Sequence, residues 1–136
     1  MNQQNSSRFE NLMLIDDNAI DLYIASRLLT KNNIAKNILE YSTANEALQY
    51  LQENCRNAEK LPAIIIVDIY MPIMDGFEFI DAYDGLPARF KNSCCVFMLS
   101  SSIDASDIDR AKNNANIKAF HVKPITQLLL EEIQKS

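Results

Sequence analysis

The stretch Ala63-Ile64-Ile65-Ile66-Val67-Asp68 decides the fold of this 136-residue chain. Its apolar residues, mostly β-branched, run without interruption into a carboxylate, which is typical of a strand buried on both faces of a parallel sheet. Pro72 and Gly76 mark the loop that follows, so we expect Asp68 at the carboxyl end of a central strand. Ligands of open α/β sheets bind outside these strand ends, which makes Asp68 the first candidate site residue.

Four other short apolar segments have the character of strands, and amphipathic segments with helical periodicity alternate with them. We expect the other strands near residues 11–15, 37–41, 95–99 and 118–122. A helix should follow each strand, near residues 19–31, 43–53, 76–83, 104–115 and 126–135. The alternation predicts a doubly wound α/β domain over residues 9–136, with a five-stranded parallel sheet and five helices, after a flexible lead-in of residues 1–8.

Local signals refine the helices. Thr43 and Glu46 have the spacing of a capping box, and Asp104 with Asp107 marks another helix start. Helical spacing assigns an apolar stripe to each helix. Three of these stripes are Ile20-Ile24-Leu28 with Tyr23 and Leu29, then Ile108-Ala111-Ala115, and finally Leu128-Leu129-Ile133 with Ile125.

Composition excludes several classes of protein. The formal net charge of −5 argues against direct binding of nucleic acid, because neutralising phosphates requires clustered Lys and Arg. The longest apolar run, residues 94–99, is too short to cross a membrane, so we expect no membrane insertion. Residues 1–7 do not have the pattern of a secretory signal, and the three cysteines lack metal-ligand spacing. We therefore expect a cytoplasmic location.

Polar side chains follow the predicted strands at one edge of the sheet. They are Asp16, Asp17, Asp68, Ser100 and Lys123. Three carboxylates brought together repel one another unless a cation or protons neutralise them, and an all-oxygen cluster suits Mg²⁺. A hydroxyl and an ammonium suit phosphate oxygens, so the set predicts a site for phosphoryl transfer. Each residue alone has a simpler interpretation. Asp17 or Asn18 could cap the first helix, the Ser100 hydroxyl could accept a hydrogen bond from an amide in a turn, and Lys123 could be an ordinary solvent-exposed lysine.

These residues resemble the receiver domains of bacterial two-component response regulators over residues 12–133. The matching motifs are Ile15-Asp16-Asp17-Asn18, Val67-Asp68 with Met71-Pro72 and Met74-Asp75-Gly76, Leu99-Ser100-Ser101, and Val122-Lys123-Pro124. The resemblance implies a flavodoxin-like sheet in the order 2-1-3-4-5.

The resemblance also implies a role for each acidic position. Asp68 would be the phosphoacceptor, which takes a phosphoryl group from a histidine kinase or a phosphotransfer protein. Asp17, Asp68 and the backbone carbonyl of Tyr70 would bind Mg²⁺, and Asp16 would act mainly through water. As an enzyme the chain would catalyse only its own phosphorylation and dephosphorylation.

The remaining motif residues would form the switch. Lys123 would pair with the phosphate, and its bond to Pro124 is expected to be cis. Ser100 resembles the hydroxyl that moves toward the phosphoryl group, and Phe120 resembles the aromatic residue that turns inward in response. The surface read by a downstream protein would be the fourth helix, fifth strand and fifth helix, residues 104–135.

This sequence departs from the family pattern at three positions. Ser100 stands where threonine is commoner, Phe120 where tyrosine is frequent, and Tyr70 is bulky for a variable position. Tyr70 and Ser102 occupy the two positions that flank the path of the hydrolytic water in the family. Since no second domain is expected after Ser136, the leading interpretation is a stand-alone switch.

Two other functions stay open. A small phosphohydrolase of the haloacid dehalogenase type would also form an aspartyl phosphate, but Tyr70 takes the place of its second carboxylate. The third interpretation is a docking module that is never phosphorylated.

Overall fold

The computed structural model describes residues 7–102 and 104–136, so most of the expected lead-in, residues 1–6, lies outside the described residues. The described residues form five strands, six α-helices and a short 3₁₀ helix, Ala58–Lys60. In chain order the strands and α-helices are β1 Phe9–Ile15, α1 Ala19–Lys31, β2 Ala35–Tyr41, α2 Ala44–Glu53, β3 Ile64–Asp68, α3 Gly76–Asp84, α4 Ala88–Lys91, β4 Cys95–Ser100, α5 Ala105–Lys112, β5 Ile117–Val122 and α6 Gln127–Gln134.

The helix count is the one departure from the predicted architecture. The short α4 falls in a stretch that the sequence analysis treated as a connector. The five predicted helices correspond to α1, α2, α3, α5 and α6. A single turn has too few residues to show helical periodicity, which is why the sequence does not reveal α4.

All strand pairs are parallel, in the order β2-β1-β3-β4-β5. This confirms the predicted flavodoxin-like sheet. The register aligns the carboxyl ends of the inner strands, since Ile15 lies opposite Val67 and Asp68 lies opposite Leu99. The residues that follow β1, β3 and β4 therefore meet at one edge.

Helices cover both faces of the sheet, and β3 contributes to both cores. Ile65 and Val67 belong to the larger core with α2 and α3, whereas Ile64 and Ile66 belong to the smaller core with α1 and α6. Every residue of β3 is buried. Burial on both faces explains why the strand reads as an uninterrupted apolar run.

The helix starts agree with the predicted caps. The Thr43 hydroxyl accepts a hydrogen bond from the backbone N–H of Glu46, and the Asp104 carboxylate accepts one from the N–H of Ser106. At α1 the capping residue is Asn18, whose side chain accepts from the N–H groups of Ile20 and Asp21. Asp17 is therefore not the cap of this helix.

The apolar stripes were predicted less accurately than the helices. Ile20, Tyr23 and Ile24 of α1 are exposed, and its buried residue is Leu29. In α6 Leu129 and Ile133 are buried as expected, but Leu128 is 62% exposed. Helix α5 ends before Ala115, which is exposed. Among the described residues, no helix is long and apolar enough to cross a membrane.

Candidate functional site

Asp68 ends the central strand as a buried carboxylate, 6% exposed. The pKa of this carboxyl is raised to about 6, because burial and the negative charges of Asp16 and Asp17 raise it by more than the nearby Lys123 ammonium lowers it. A carboxylate that water solvates poorly and that remains mostly ionised at neutral pH is suited to act as a nucleophile.

Two further carboxylates lie beside Asp68. One oxygen from each of Asp16, Asp17 and Asp68 can be chosen so that all three lie within 4.8 Å of one another. Asp16 is buried and Asp17 is exposed, so the cluster opens to solvent on one side. Asp16 Oδ1 accepts a hydrogen bond of 2.9 Å from the backbone N–H of Asn18, which fixes this carboxylate. An all-oxygen set of this kind fits a hard cation such as Mg²⁺.

Lys123 reaches the same edge from the end of β5. Its Nζ donates hydrogen bonds to Asp16 Oδ2 at 2.7 Å and to Asp21 Oδ2 at 2.9 Å, and it lies 3.5 Å from Asp68 Oδ2. Burial alone would lower the pKa of this ammonium, but the hydrogen bonds to Asp16 and Asp21 outweigh that effect, so the pKa is raised. Lys123 is therefore a fixed cation, and the peptide bond to Pro124 is cis, as expected.

Ser100 is fully buried at the end of β4, next to the strand that carries Asp68. Its hydroxyl accepts a hydrogen bond from the backbone N–H of Ser102, and its carbonyl accepts one from the N–H of Lys123. The predicted turn role of Ser100 is therefore real. It does not exclude a second role, because the same hydroxyl can still donate.

The loop after Asp68 is held tightly against the strand end by Gly76. The N–H of Gly76 donates to the carbonyl of Ile69 at 2.7 Å, and a Cβ on Gly76 would stand 2.5 Å from the carbonyl oxygen of Asp68. Only glycine fits this approach. Asp75 then caps α3 in a capping box with Glu78, so its carboxylate serves the helix.

Tyr70 lies in the same loop, and its side chain extends to the first turn of α5. The Tyr70 hydroxyl donates a hydrogen bond to Asp107 in the first turn of α5, and this bond raises the pKa of the phenol. The side chain is 49% exposed. The ring therefore links the loop of the phosphoacceptor candidate to α5.

Phe120 of β5 is half-buried and packs against the larger core. It lines a groove of about 570 Å³ between α5 and β5 together with Ile108, Ala111, Lys112, Ile117, Lys118, Ala119 and Val122. The groove leaves space beside the ring, at the edge of the sheet that α5 covers.

The family model for the response regulator receiver domain matches residues 12–134 of this chain. The chain belongs to this family. Its receiver domain is similar to a response regulator receiver protein from Dyadobacter fermentans, with 30% identity and a TM-score of 0.82 over 93% of this chain and 95% of that one.

Two further comparisons show how far the likeness reaches. The two-component response regulator ORR1 of indica rice is 25% identical over 91% of this receiver domain and 53% of its own length, so the chain spans about half of that relative. The receiver domain of the histidine kinase CKI1 from Arabidopsis thaliana, solved in complex with Mg²⁺ and BeF₃⁻, has a TM-score of 0.71 and covers 93% of this chain and 91% of that one. At 24% identity the second likeness supports the fold alone.

The receiver domain thus brings Asp16, Asp17, Asp68 and Lys123 together, as the sequence predicted, and places Ser100 on the adjacent strand end. The sequence analysis missed Asp21, the second carboxylate that holds Lys123. The only signal available was an aspartate in the first turn of the helix that follows Asp16 and Asp17. That position is also favourable for the helix dipole, so the signal is not specific.

Proposed function

We propose that this receiver domain accepts a phosphoryl group on Asp68 from a histidine kinase or a phosphotransfer protein, in a Mg²⁺-dependent reaction, and signals to a protein partner through a change of conformation. The observation that carries this proposal is the position of the buried Asp68 carboxylate, which shares one edge with two other carboxylates and lies 3.5 Å from the ammonium of Lys123.

In the proposed reaction an oxygen of Asp68 attacks the phosphorus of the donor. The bond from phosphorus to the donor's imidazole nitrogen breaks, the nitrogen keeps the electron pair, and Asp68 becomes an acyl phosphate. The carboxylate needs no proton removed before it attacks. Its pKa of about 6 leaves it mostly ionised at pH 7, while its burial reduces the hydration that would weaken it as a nucleophile.

The acidic cluster fits the metal that the proposal requires. Asp17 and Asp68 would bind Mg²⁺ together with the backbone carbonyl of Tyr70, and Asp16 would contribute mainly through water. When bound, the ion supplies positive charge to the phosphoryl oxygens. The clustering of carboxylate oxygens from Asp16, Asp17 and Asp68 within 4.8 Å of one another supports this assignment.

Lys123 and Ser100 would stabilise the product. The ammonium of Lys123 is the fixed cation nearest Asp68, and it can donate to a phosphoryl oxygen without losing its proton. The buried hydroxyl of Ser100 would donate to another oxygen after a small movement from its present position. Both contacts appear only when the phosphoryl group is present, so they can shift a conformational equilibrium.

The proposed output surface consists of α5, β5 and α6, within residues 104–135. Helix α5 has a single buried residue, Ala111, so it is weakly anchored, and Phe120 lies beside the groove that it borders. We propose that movement of Ser100 allows Phe120 to turn into this groove, which shifts α5 and changes the surface that the partner reads. The catalytic activity that we propose for the domain is limited to its own phosphorylation and dephosphorylation. We propose a cytoplasmic location.

The test is labelling with acetyl phosphate in the presence of Mg²⁺, followed by the intact mass of the protein. Wild type should gain the mass of one phosphoryl group, and only when Mg²⁺ is present. Asp68→Asn should gain none. Equal labelling of the two proteins would refute the assignment of Asp68.

A further inference from the structure

The position of Lys123 depends on two carboxylates of different kinds. Asp16 belongs to the acidic cluster that fits a cation, whereas Asp21 is not part of that cluster and lies in the first turn of α1. Both accept hydrogen bonds from Lys123 Nζ, at 2.7 Å and 2.9 Å. The side chain of Lys123 is 12% exposed, so few alternative positions are open to it.

The remaining contact of the ammonium is longer. Lys123 Nζ lies 3.5 Å from Asp68 Oδ2, whereas a charge-assisted hydrogen bond between such groups measures about 2.7–2.9 Å. An ammonium has three N–H donors, two of which are given to Asp16 and Asp21. The ammonium is thus held beside Asp68 without forming a short hydrogen bond to it.

Asp21 is well placed to hold it there. The N–H of Asp21 donates to the side chain of Asn18, the residue that caps α1, which fixes the backbone of Asp21 at the start of the helix. Asp16, in contrast, is expected to interact with a bound cation as well as with Lys123. Asp21 then remains as the carboxylate that restrains Lys123.

We propose that Asp21 is a positioning residue for phosphoryl transfer, which keeps the Lys123 ammonium beside Asp68 and ready for the phosphoryl oxygens; this rests on the phosphoacceptor role of Asp68. Without Asp21, the ammonium is free to pair closely with the Asp68 carboxylate. Such a pair occupies the attacking oxygen and leaves the cation at the wrong distance from the phosphoryl group.

With acetyl phosphate the step is balanced without any proton from Lys123. The bond from Asp68 oxygen to phosphorus forms, the bond from phosphorus to the acetyl oxygen breaks, and acetate leaves with the electron pair. Lys123 keeps its protons throughout and acts only as a hydrogen-bond donor.

The experiment compares wild type with Asp21→Ala, Asp21→Asn and the control Asp81→Asn, which removes a charge from an exposed position of α3, outside the proposed output surface. The rate of labelling is measured at saturating acetyl phosphate and saturating Mg²⁺, Mg²⁺ affinity is measured by titration, and folding is checked by circular dichroism. A ¹H–¹⁵N spectrum of the lysine ammonium groups, without donor or metal, reports whether Lys123 is held.

We expect Asp21→Ala to lower the maximal rate about tenfold, in the range that misplacement of a reacting group produces, with Mg²⁺ affinity little changed. Asp21→Asn keeps an oxygen acceptor and should recover part of the rate, and Asp81→Asn should match wild type. The Lys123 ammonium signal should shift or broaden in Asp21→Ala.

Either of two results would overturn the inference. One is an unchanged maximal rate in Asp21→Ala, even if the variant is slow below Mg²⁺ saturation, and the other is an unchanged ammonium signal for Lys123. Wild type that takes up no phosphate would overturn the proposed function and this inference together. Labelled wild type with an equally fast Asp21→Ala would overturn the role of Asp21 alone.

Discussion

The hydroxyl of Tyr70 donates a hydrogen bond to the carboxylate of Asp107, and this bond joins the loop behind Asp68 to the first turn of α5. The Ser102 side chain also lies within hydrogen-bonding range of the phenol. The two side chains that flank the expected path of the hydrolytic water are therefore in contact with each other. Neither is a carboxylate or an amide that could orient a water molecule behind the phosphorus.

This contact predicts a slow loss of the phosphoryl group. Replacing both side chains with water-orienting ones, in the double variant Tyr70→Asn with Ser102→Glu, should shorten the lifetime of the phosphoprotein about tenfold, because placement of the attacking group strongly affects the barrier. The measurement is the loss of phosphoprotein with time in excess Mg²⁺ after the donor is removed. Tyr70→Phe is the matched control, since it keeps the ring and loses only the contacts of the hydroxyl with Asp107 and Ser102. A double variant that decays no faster than wild type would show that these side chains do not set the lifetime.

The raised pKa of Asp68 predicts how the stability of the metal-free protein depends on pH. Between about pH 4 and pH 6 the folded state holds more protons on Asp68 than the unfolded state does, so this group lowers the free energy of unfolding as the pH rises. One pKa unit corresponds to about 1.4 kcal/mol. In the presence of a chelator, Asp68→Asn should therefore be more stable than wild type at pH 7, by roughly 1–3 kcal/mol.

Urea unfolding at several pH values measures the difference in free energy of unfolding between Asp68→Asn and wild type. This difference should decrease as the pH falls from 6 to 4, because wild-type Asp68 becomes neutral in the folded protein. The control Asp81→Asn should differ little from wild type at any pH. A difference between Asp68→Asn and wild type that does not change with pH would be evidence against an ionised, buried Asp68.

Metal binding should stabilise the fold, because a cation relieves the repulsion among Asp16, Asp17 and Asp68. Binding to the folded state alone adds about 2.7 kcal/mol at a ligand concentration one hundred times the Kd. Thermal melts with and without Mg²⁺ should show a higher Tm with the metal, and Asp17→Ala should lose most of this increase. If Mg²⁺ at saturation leaves the Tm of wild type unchanged, the acidic cluster is not a metal site.

The proposed switch can be separated from phosphorylation by Ser100→Ala. This variant should still accept the phosphoryl group on Asp68, since Lys123 and the acidic cluster are intact. It should lose much of the response of the Phe120 ring, because the hydroxyl that couples the two residues is missing. The ring signals of Phe120 by NMR, before and after phosphorylation, are the measurement. A full response in Ser100→Ala would remove Ser100 from the switch.

Within the candidate site, the sequence predicted best the positions of the residues at the ends of the strands. The uninterrupted run that ends at Asp68 has no plausible position other than the centre of the sheet, and parallel strands bring their carboxyl ends to one edge. The order of the four motifs then assigned Asp16, Ser100 and Lys123 to that edge. These placements follow from topology and need no knowledge of side-chain packing.

Side-chain partners and the burial of helical faces could not be predicted in the same way. The stripe of α1 contains enough apolar residues for two faces, and only the packed structure shows that Leu29 is covered while Ile20 and Ile24 are exposed. Asp21 accepts a hydrogen bond from Lys123, and Asp107 accepts one from Tyr70. These partners are 102 and 37 residues apart in the sequence, and periodicity does not predict contacts between such distant residues. Helical spacing predicts that a face exists, but not what covers it.

The most direct test of the central claim, a phosphoryl group on Asp68, is chemical mapping of the labelled residue. Borohydride reduces an acyl phosphate of aspartate to homoserine, and peptide mass spectrometry then locates the changed residue. After labelling with acetyl phosphate and Mg²⁺, homoserine should replace aspartate at position 68 and at no other aspartate, and it should be absent when Mg²⁺ is omitted. Homoserine at Asp16 or Asp17, or labelled protein with aspartate intact at position 68, would contradict the account.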